Sequence, residues 1–408
     1  MNDAPGAGNA GAIIARWQRT AVLVAAAGAA LCVVGVFVDA TQFFRSYLVG
    51  YLYWLGIALG CLGVGLLHNM TGGAWGRVTS SFVNAAVKTL PLLALLFVPI
   101  ALGFGRLYSW SDPAVVAADE LLRHKSAYLN VPATLARAVA YFAIWIGFGI
   151  ILSRAAGKSK AHAPADVAAA RRTKLLSAPG IVLYVLTMTF ASIDWAMSLD
   201  PHWFSTIYGV LFIVGQALSA FGLLILMLAA FRDEPPFAGA ITQDHFHDLG
   251  NLLFAFVLLW AYASISQLLI IWSANLPEEI PWYIKRFNGG WQFIGLGLVI
   301  FHFVIPFFIL LSRIAKRRAV IIARVAVAIL VVHYLDIFWI VAPEFHPKGL
   351  KIHWLDFATF AALGGVWFAF YLRQLGAQPL AIAIEAGAVP AGAHGDGRAP
   401  SAEASHAR

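Results

Sequence analysis

Ten long apolar runs constrain the fold of this chain more than any other feature of its sequence. Each holds roughly 20 residues, the length of helix that crosses the hydrocarbon core of a bilayer. Only 12% of the residues are charged, whereas soluble domains carry about 25%. The sequence therefore predicts an all-α polytopic membrane protein with ten transmembrane helices. The predicted spans one to ten are Ala21–Val38, Tyr47–Leu67, Thr89–Phe104, Ala133–Leu152, Ile181–Met197, Ile207–Ala230, Leu249–Trp272, Gly290–Leu311, Val320–Ala342 and Trp354–Leu372.

The basic residues lie mainly on one side of this topology. An even number of spans places both chain ends on the same side, and that side receives 19 of the 28 Lys and Arg residues. The other side receives eight, and Arg137 falls within span four. Because basic loops remain in the cytoplasm, both ends are predicted to be cytoplasmic. The net charge of +8 is thus a topology signal and does not indicate nucleic-acid binding.

Residues 1–16 and 374–408 are rich in Ala, Gly and Pro, and both segments are predicted to be disordered around a membrane domain at 17–373. The first apolar run follows two arginines and so resembles a signal peptide with a weak cleavage site at 38–40. Its 18 apolar residues exceed the usual length of such a segment, and a membrane anchor is predicted instead.

Two parts of the chain share an ordered pattern. Span four ends in Ile-Leu-Ser-Arg (151–154), and span eight ends in Leu-Leu-Ser-Arg (310–313). A basic loop follows each, and then a span that carries the spacing Asp-x6-Pro. Spans two to five (about 47–199) and six to nine (about 205–343) are therefore predicted to be two four-helix bundles of the same orientation, with spans one and ten flanking them.

Asp194 and Asp336 lie inside apolar runs, each seven residues before the proline that closes its run. An uncompensated charge within a bilayer costs about 2.5–3.5 kcal/mol or more. Seven residues of helix place both acids roughly 10 Å inside the boundary opposite the chain ends. The functional interpretation is a proton or quinone site. The alternative is a buried pair with Arg137 or a histidine that only holds helices together.

Further polar residues share helix faces with these acids or lie on the cytoplasmic side. His333 is three residues before Asp336, and helical spacing aligns Tyr184 and Thr187 with Asp194. His302 in mid-span eight could relay protons or be a core histidine. The cytoplasmic loop at 243–248 could be a proton entry or a solvated face. The predicted proton path comprises Asp194, Asp336, His333, His302, Thr187, Tyr184, His68 and Lys88.

A candidate quinone pocket is predicted near the end of span five. Its tryptophans could wall an aromatic head group, although an interfacial aromatic belt explains most tryptophans of this chain. The pocket residues are Asp194, Trp195, His202, Trp203, Arg137 and Gln267.

Cys32 and Cys61 both fall within predicted spans, and the sequence has no CxxCH or CxxC pattern. No covalently bound cofactor is therefore expected. The histidines are poorly placed to pair across a haem, so no haem is expected, and 243–248 lacks a strong zinc spacing. Any redox centre must then belong to partner subunits.

Three segments carry a family resemblance: SIDWAMSLDPHWFST (192–206), WAYASISQLLIIWSANLPEE (260–279), and DIFW (336–339) followed by PEFHP (343–347). They resemble the NrfD/polysulfide-reductase-like membrane subunits of bacterial alternative complex III, in particular the smaller of the two such subunits. The resemblance extends over roughly residues 45–356. It implies ten helices with two four-helix bundles, in a quinol:cytochrome c or quinol:acceptor oxidoreductase.

The same resemblance implies a non-redox subunit that is not an enzyme alone and lies in the bacterial inner membrane. Its expected protein partners are a sister NrfD-like subunit, an iron–sulfur subunit and multihaem cytochromes c. Haem and iron–sulfur clusters are expected on those subunits only. The other expected partners are quinol, quinone or menaquinone, and lipid. The family's quinol site is usually assigned to the larger sister, so a proton path is the expected contribution of this chain. The alternatives are a secondary transporter and a structural anchor for peripheral redox subunits.

Overall fold

A computed structural model describes residues 8–159, 167–235 and 237–378 of the chain. Within these ranges every regular element is a helix, without any strand. Ten of the described helical segments are long and apolar enough to cross a membrane. The predicted all-α fold with ten spans is therefore confirmed.

In the described part of the chain, eight spans are single helices and two are interrupted. Spans one, two, four, five, six, seven, nine and ten are Gly8–Val38, Ala40–Thr71, Val131–Ser159, Val167–Trp195, Tyr208–Phe231, Gln243–Ala274, Ala319–Phe345 and Trp354–Gly376. Span three consists of Ala74–Val87, Leu90–Leu96 and Val98–Leu102. Span eight consists of Trp291–Leu298, a π-helical turn at Val299–Val304, and Ile305–Leu311.

Short helices lie in the loops. They are Phe104–Leu107, Ser109–Ser111, Pro113–Ala118, Glu120–Lys125, Met197–Leu199, Ile280–Arg286 and Arg313–Arg317. Asp112 caps the helix that begins at Pro113, with its carboxylate accepting from the Ala114 N–H at 2.8 Å. Asp119 leaves the helical conformation and caps the next helix, so Pro113–Ala118 and Glu120–Lys125 are two separate helices.

Span three begins earlier than the sequence predicted. The prediction was Thr89–Phe104, whereas the helical span runs from Ala74 to Leu102. Its first half is too polar to score as a span alone, but Thr79, Ser81 and Asn84 are buried against neighbours. The Asn84 amide donates to Gln378 at 2.8 Å and accepts from Ser153 at 2.6 Å. Tertiary hydrogen bonds therefore offset the low local hydropathy.

Spans two and six lie at the centre of the molecule and are the most buried of the ten described spans. They pack against each other. Span two also contacts spans three, five and nine, while span six contacts spans seven, nine and five. Span two also packs against spans four and ten, and span six against span three. The contacts named first are unchanged when two exchanges with six, three with seven, and five with nine, and the equivalence of two bundles stays a prediction.

Span one packs along span ten at the edge of the molecule. Their backbones approach closely, because a Cβ at Gly28 would lie 2.6 Å from the Ala362 nitrogen. Disorder was predicted to extend to residue 16, but span one begins at Gly8, since Ala10 and Ile14 are buried. Residues 374–378 are likewise ordered by packing. Residues 1–7 and 379–408 lie outside the described ranges.

The described chain ends lie on one face, since Ile14 is next to Gly376. This face is called the termini face below, and the other is called the opposite face.

Candidate functional site

Asp194 ends span five in a fully enclosed position, with 0% of its surface exposed. Arg137 of span four binds both carboxylate oxygens, Nε to Oδ2 at 2.8 Å and Nη2 to Oδ1 at 2.9 Å. Tyr141 donates a third hydrogen bond to Oδ2 at 2.9 Å. Two-pronged Arg–carboxylate pairs are among the strongest and most directional of polar contacts. The charge of Asp194 is therefore compensated by a fixed cation.

Arg137 is itself held from several sides. It donates to the Tyr128 carbonyl and to the Thr134 hydroxyl, both at 3.0 Å, and its guanidinium lies 3.9 Å from the centre of the Tyr128 ring. Its side chain is 22% exposed, whereas Asp194 is covered completely. These contacts fasten span four to span five and to the loop before span four.

Aromatic side chains fill the space beside Asp194. The Trp195 indole is buried, with its ring centre 4.9 Å from Phe97 and 6.0 Å from both Phe142 and Trp145. The Tyr108 hydroxyl donates to the Trp195 carbonyl at 2.9 Å. Packed side chains therefore surround the acid of the first bundle.

Asp336 occupies the corresponding place in span nine but has different neighbours. It is buried, and no Lys or Arg lies within ion-pair distance among the described residues. The Trp260 indole N–H of span seven donates to Oδ2 at 3.0 Å. The same oxygen lies 3.5 Å from Nδ1 of His333, too far for a good hydrogen bond. Asp336 thus has a neutral donor and a titratable neighbour instead of a fixed cation.

His302 of span eight completes this cluster. It is fully buried, its ring lies edge-on to Trp260 at 4.3 Å between centres, and it stacks on His333 at 6.0 Å with 18° between planes. Within the described structure, neither ring nitrogen of His302, nor Nδ1 of His333, has a hydrogen-bond partner. Buried polar atoms are usually paired, so these nitrogens have unused hydrogen-bonding capacity.

A local backbone irregularity places His302. The residue lies in the π-helical turn at Val299–Val304. Pro306 follows four residues after His302 and lacks the N–H that would bond to the His302 carbonyl in a regular helix. The wider turn accommodates this loss, and such turns occur frequently at functional sites.

His333 lies where the two predicted bundles meet. A Cβ at Gly215 of span six would lie only 2.4 Å from Cε1 of His333, so glycine makes room for the ring. Tyr53 of span two contacts the same imidazole at 5.9 Å between ring centres. The histidine is therefore fixed by both central spans.

Tyr184 and Thr187 of span five form no described hydrogen bond with either acid. The Tyr184 hydroxyl donates to Gln216 at 2.7 Å, and the Trp145 indole donates to Thr187 at 2.9 Å. Gln216 is adjacent in sequence to the glycine that makes room for His333. Among the described residues, no hydrogen bond or ion pair joins Asp194 to the Asp336 cluster, and the continuous proton path stays a prediction.

The two residues predicted for the cytoplasmic end of the path lie apart from this cluster. His68 ends span two, with Nε2 3.1 Å from the Gly73 carbonyl and its ring against Trp75. Lys88 was predicted to open span three, but the span begins at Ala74, so Lys88 lies within it and is half-buried.

The predicted quinone-pocket residues are distributed over separate contacts. Trp203 stacks on Trp282 at 4.9 Å, and Gln267 accepts a long hydrogen bond of 3.5 Å from Ser205. No described contact joins either of them to the Asp194 pair. The quinone pocket therefore stays a prediction.

His202, the remaining pocket residue, lies in the loop after span five. Its Nε2 is 2.8 Å from Oδ2 of Asp119. Asp119 caps the Glu120–Lys125 helix. The Leu122 backbone N–H lowers the pKa of Asp119, burial opposes this, and His202 adds to the lowering. Lys125 also donates to the Pro201 carbonyl. These contacts hold that short helix over the end of span five.

A buried cation on the opposite face was not predicted. Arg286 is 0% exposed and lies 3.4 Å from the centre of the Trp282 ring. It donates to Glu344 at 3.0 Å and to the Trp339 and Ile340 carbonyls. Burial lowers the pKa of Arg286, and Glu344 opposes this.

Lys285 extends that network to the first bundle. It lies 2.7 Å from both Glu344 and Asp200. Burial lowers the pKa of Lys285, but the two carboxylates outweigh it and the net direction is upward. The sequence held one signal for this network, since an acid lies next to the proline that closes each of two predicted spans. These acids are Asp200 before Pro201 and Glu344 after Pro343. This network ties the ends of spans five and nine together.

No protein-family model matches this chain, and a search of curated proteins finds none that is similar to it. Across the described ranges, no group of three or more His, Cys, Asp and Glu residues is arranged to hold a metal ion. The functional interpretation therefore depends on the residues themselves and on their geometry.

Proposed function

We propose that this chain is an integral membrane subunit of a quinol-oxidising respiratory complex of the alternative complex III type, and that it handles protons instead of electrons. Two observations support the proposal. Segments 192–206 and 260–279 resemble the NrfD-like subunits of such complexes, and the ten-helix architecture is the one that the resemblance implies. The second observation is the polar cluster of spans seven, eight and nine.

That cluster is the observation that carries the proposal. Asp336 is buried with two histidines and an indole N–H, and no fixed cation holds it in the ionised form. Quinol oxidation releases two protons, which positioned bases must accept. Intramembrane carboxyl and imidazole groups are typical of proton relays. Asp336 would accept a proton, and His333 and His302 would pass it along.

Asp194 has a different part in this proposal. Its two-pronged pair with Arg137 and its bond from Tyr141 hold the carboxylate in one position. It therefore holds spans four and five together, so that the protonatable cluster of the other bundle keeps its shape. Haem and iron–sulfur clusters would be on partner subunits, among them a sister NrfD-like subunit and multihaem cytochromes c.

The test is an acid-to-amide substitution in the intact assembly. Asp336→Asn keeps the size of the side chain and its ability to accept from Trp260, but it removes the exchangeable proton. The matched control is Asp356→Asn on span ten, another buried carboxyl group, which accepts from Ser46 and the His353 N–H. We expect both variants to copurify with haem-bearing partners, and only Asp336→Asn to lose quinol oxidation. Equal turnover of the two variants would contradict the assignment.

A secondary transporter is the second candidate, because spans three and eight are interrupted within the membrane, as the substrate-binding helices of transporters often are. A transporter would be stable when purified alone and would move a solute in vesicles. Purification from native membranes without any redox partner would favour that alternative.

A further inference from the structure

The segment from Arg313 to Arg324 links spans eight and nine on the termini face and is strongly basic. It contains five cations and no acid. They are Arg313, Lys316, Arg317, Arg318 and Arg324. We call it the 313–324 segment.

Two of these cations fix the segment to span seven. Arg317 pairs with Asp244. Lys316 is buried, donates to the Asn251 side chain at 2.6 Å, and packs against Gly250, where a Cβ would lie 2.9 Å from its Cγ. The backbone of the segment is therefore positioned by protein contacts, and the remaining arginines project from a fixed support.

The other three cations have no partner among the described residues. Arg313, Arg318 and Arg324 are exposed, and their side chains make no hydrogen bond or ion pair with any residue that the structure describes. In a folded membrane protein, guanidinium groups without a carboxylate need another anion or water.

Arg324 is placed unusually for a loop cation. Val320, Arg324, Val327 and Val331 are exposed and follow the spacing of one helix face. That face of span nine points away from the protein, towards lipid. Arg324 lies about 7.5 Å along the helix from Ala319, within reach of the membrane interface for a long side chain.

Apolar side chains share this surface. Leu311 and Ile314, on either side of Arg313, are 59% and 68% exposed. A surface that combines free guanidinium groups with exposed aliphatic groups suits a ligand that has an anionic head and an apolar tail. Arginine also matches phosphate oxygens with paired N–H donors.

We propose that Arg313, Arg318 and Arg324 bind the phosphate head group of an anionic phospholipid in the leaflet at the termini face, with its acyl chains along Val320 and Val327. The site is independent of the proposed respiratory function. General attraction between basic loops and anionic membranes would act on every basic loop alike. A specific site requires that these three positions matter more than others of the same charge.

The chain offers a matched control for this test. Arg171, Arg172 and Lys174 are exposed cations at the start of span five, in the equivalent loop of the other bundle. One variant carries Arg313→Gln, Arg318→Gln and Arg324→Gln, and the control carries Arg171→Gln, Arg172→Gln and Lys174→Gln. Both lose three charges. The full-length proteins are placed in nanodiscs of phosphatidylcholine and phosphatidylglycerol, and retained phosphatidylglycerol is counted by native mass spectrometry.

We expect the first variant to lose one tightly retained phosphatidylglycerol and the control to keep it. Arg324→Gln alone should weaken retention about fivefold, and Arg324→Lys should restore most of it. Inorganic phosphate should not compete, since it lacks acyl chains; competition by phosphate would reassign the site to a free anion. Equal losses in the two triple variants would show general electrostatic attraction and overturn the proposal, as would no loss in either.

Discussion

Asp194 and Asp336 share a position in the sequence pattern and differ in their surroundings. Asp194 receives three hydrogen bonds, two of them from the fixed cation Arg137. Asp336 receives one bond, from the Trp260 indole, and otherwise faces histidine. The first acid is paired with a fixed cation, whereas the second lies beside an indole N–H and imidazole groups.

The difference teaches that a buried acid in a membrane helix has two distinct uses. A carboxylate paired with arginine joins helices, and removing one partner leaves the other charge unpaired. A carboxyl group beside imidazoles can change its protonation state without losing a structural partner. Bundles with the same helix pattern can therefore divide stability and proton transfer between them.

The largest effect should follow from breaking the pair in the first bundle. Arg137→Ala leaves Asp194 buried and unpaired, a change that typically costs about 3–5 kcal/mol. The partial exposure of Arg137 places the expected loss towards the lower end. Thermal unfolding in detergent measures it, and the double variant Arg137→Gln with Asp194→Asn should recover part of the loss. A wild-type melting temperature for Arg137→Ala would remove the structural role.

The next effect should be on catalysis and confined to the second bundle. His333→Gln and His302→Gln should each lower quinol-oxidation turnover of the assembled complex, by about 100-fold if proton transfer limits the rate. Thr187→Val in span five is the control and should change turnover little. Stopped-flow measurement of haem reduction in the intact complex gives the rates. Loss of turnover in the control, with normal rates in both histidine variants, would reverse the assignment.

A smaller effect should come from the glycine beside His333. Gly215→Ala places a methyl group 2.4 Å from the present Cε1 position, so the His333 ring must leave its present position beside Asp336 and His302. We expect lower turnover with nearly unchanged stability, about tenfold if the movement breaks the proton relay. Gly297→Ala on span eight meets no atom within 4 Å and is the matched control. If both variants keep full turnover, the position of His333 is not critical.

The smallest effect concerns the loop that covers the first bundle. The pKa of Asp119 is lowered in the folded protein, so its contribution is present above the ordinary Asp pKa and is lost as pH falls through the folded value. Protection of the Glu120–Lys125 amides from hydrogen exchange should then decrease in acid, after correction for intrinsic rates. Asp119→Ala removes the oxygen that accepts from the Leu121 and Leu122 N–H groups and should show low protection at every pH. Identical pH profiles for variant and wild type would show that Asp119 does not stabilise this helix.

Sequence reasoning could identify the spans and both acids, because hydropathy and helical spacing are local properties. It also kept open an Arg137–Asp194 pair as the alternative to a proton site. It could not choose between them, since the choice depends on which side chains of spans four and seven reach each acid. Trp260 gave no signal beyond that of an ordinary membrane tryptophan.

Other features depended on tertiary contacts in the same way. The first half of span three looked too polar to be membrane-embedded, yet Asn84 is satisfied by residues far away in the sequence. The π-helical turn at His302 could be suspected from Pro306 alone, but a proline four residues later more often only kinks a helix. From the sequence, Arg286 resembles an ordinary loop cation, whereas in the structure Glu344 and two tryptophans enclose it.

Infrared difference spectroscopy tests the central contrast between the two acids most directly. The carbonyl stretch of a protonated carboxyl group is resolved from that of a carboxylate, and its change during quinol oxidation reports which acid exchanges a proton. We predict a carboxyl band in the wild-type complex that disappears in Asp336→Asn and persists in Asp194→Asn. A band that disappears in Asp194→Asn and persists in Asp336→Asn would contradict the account.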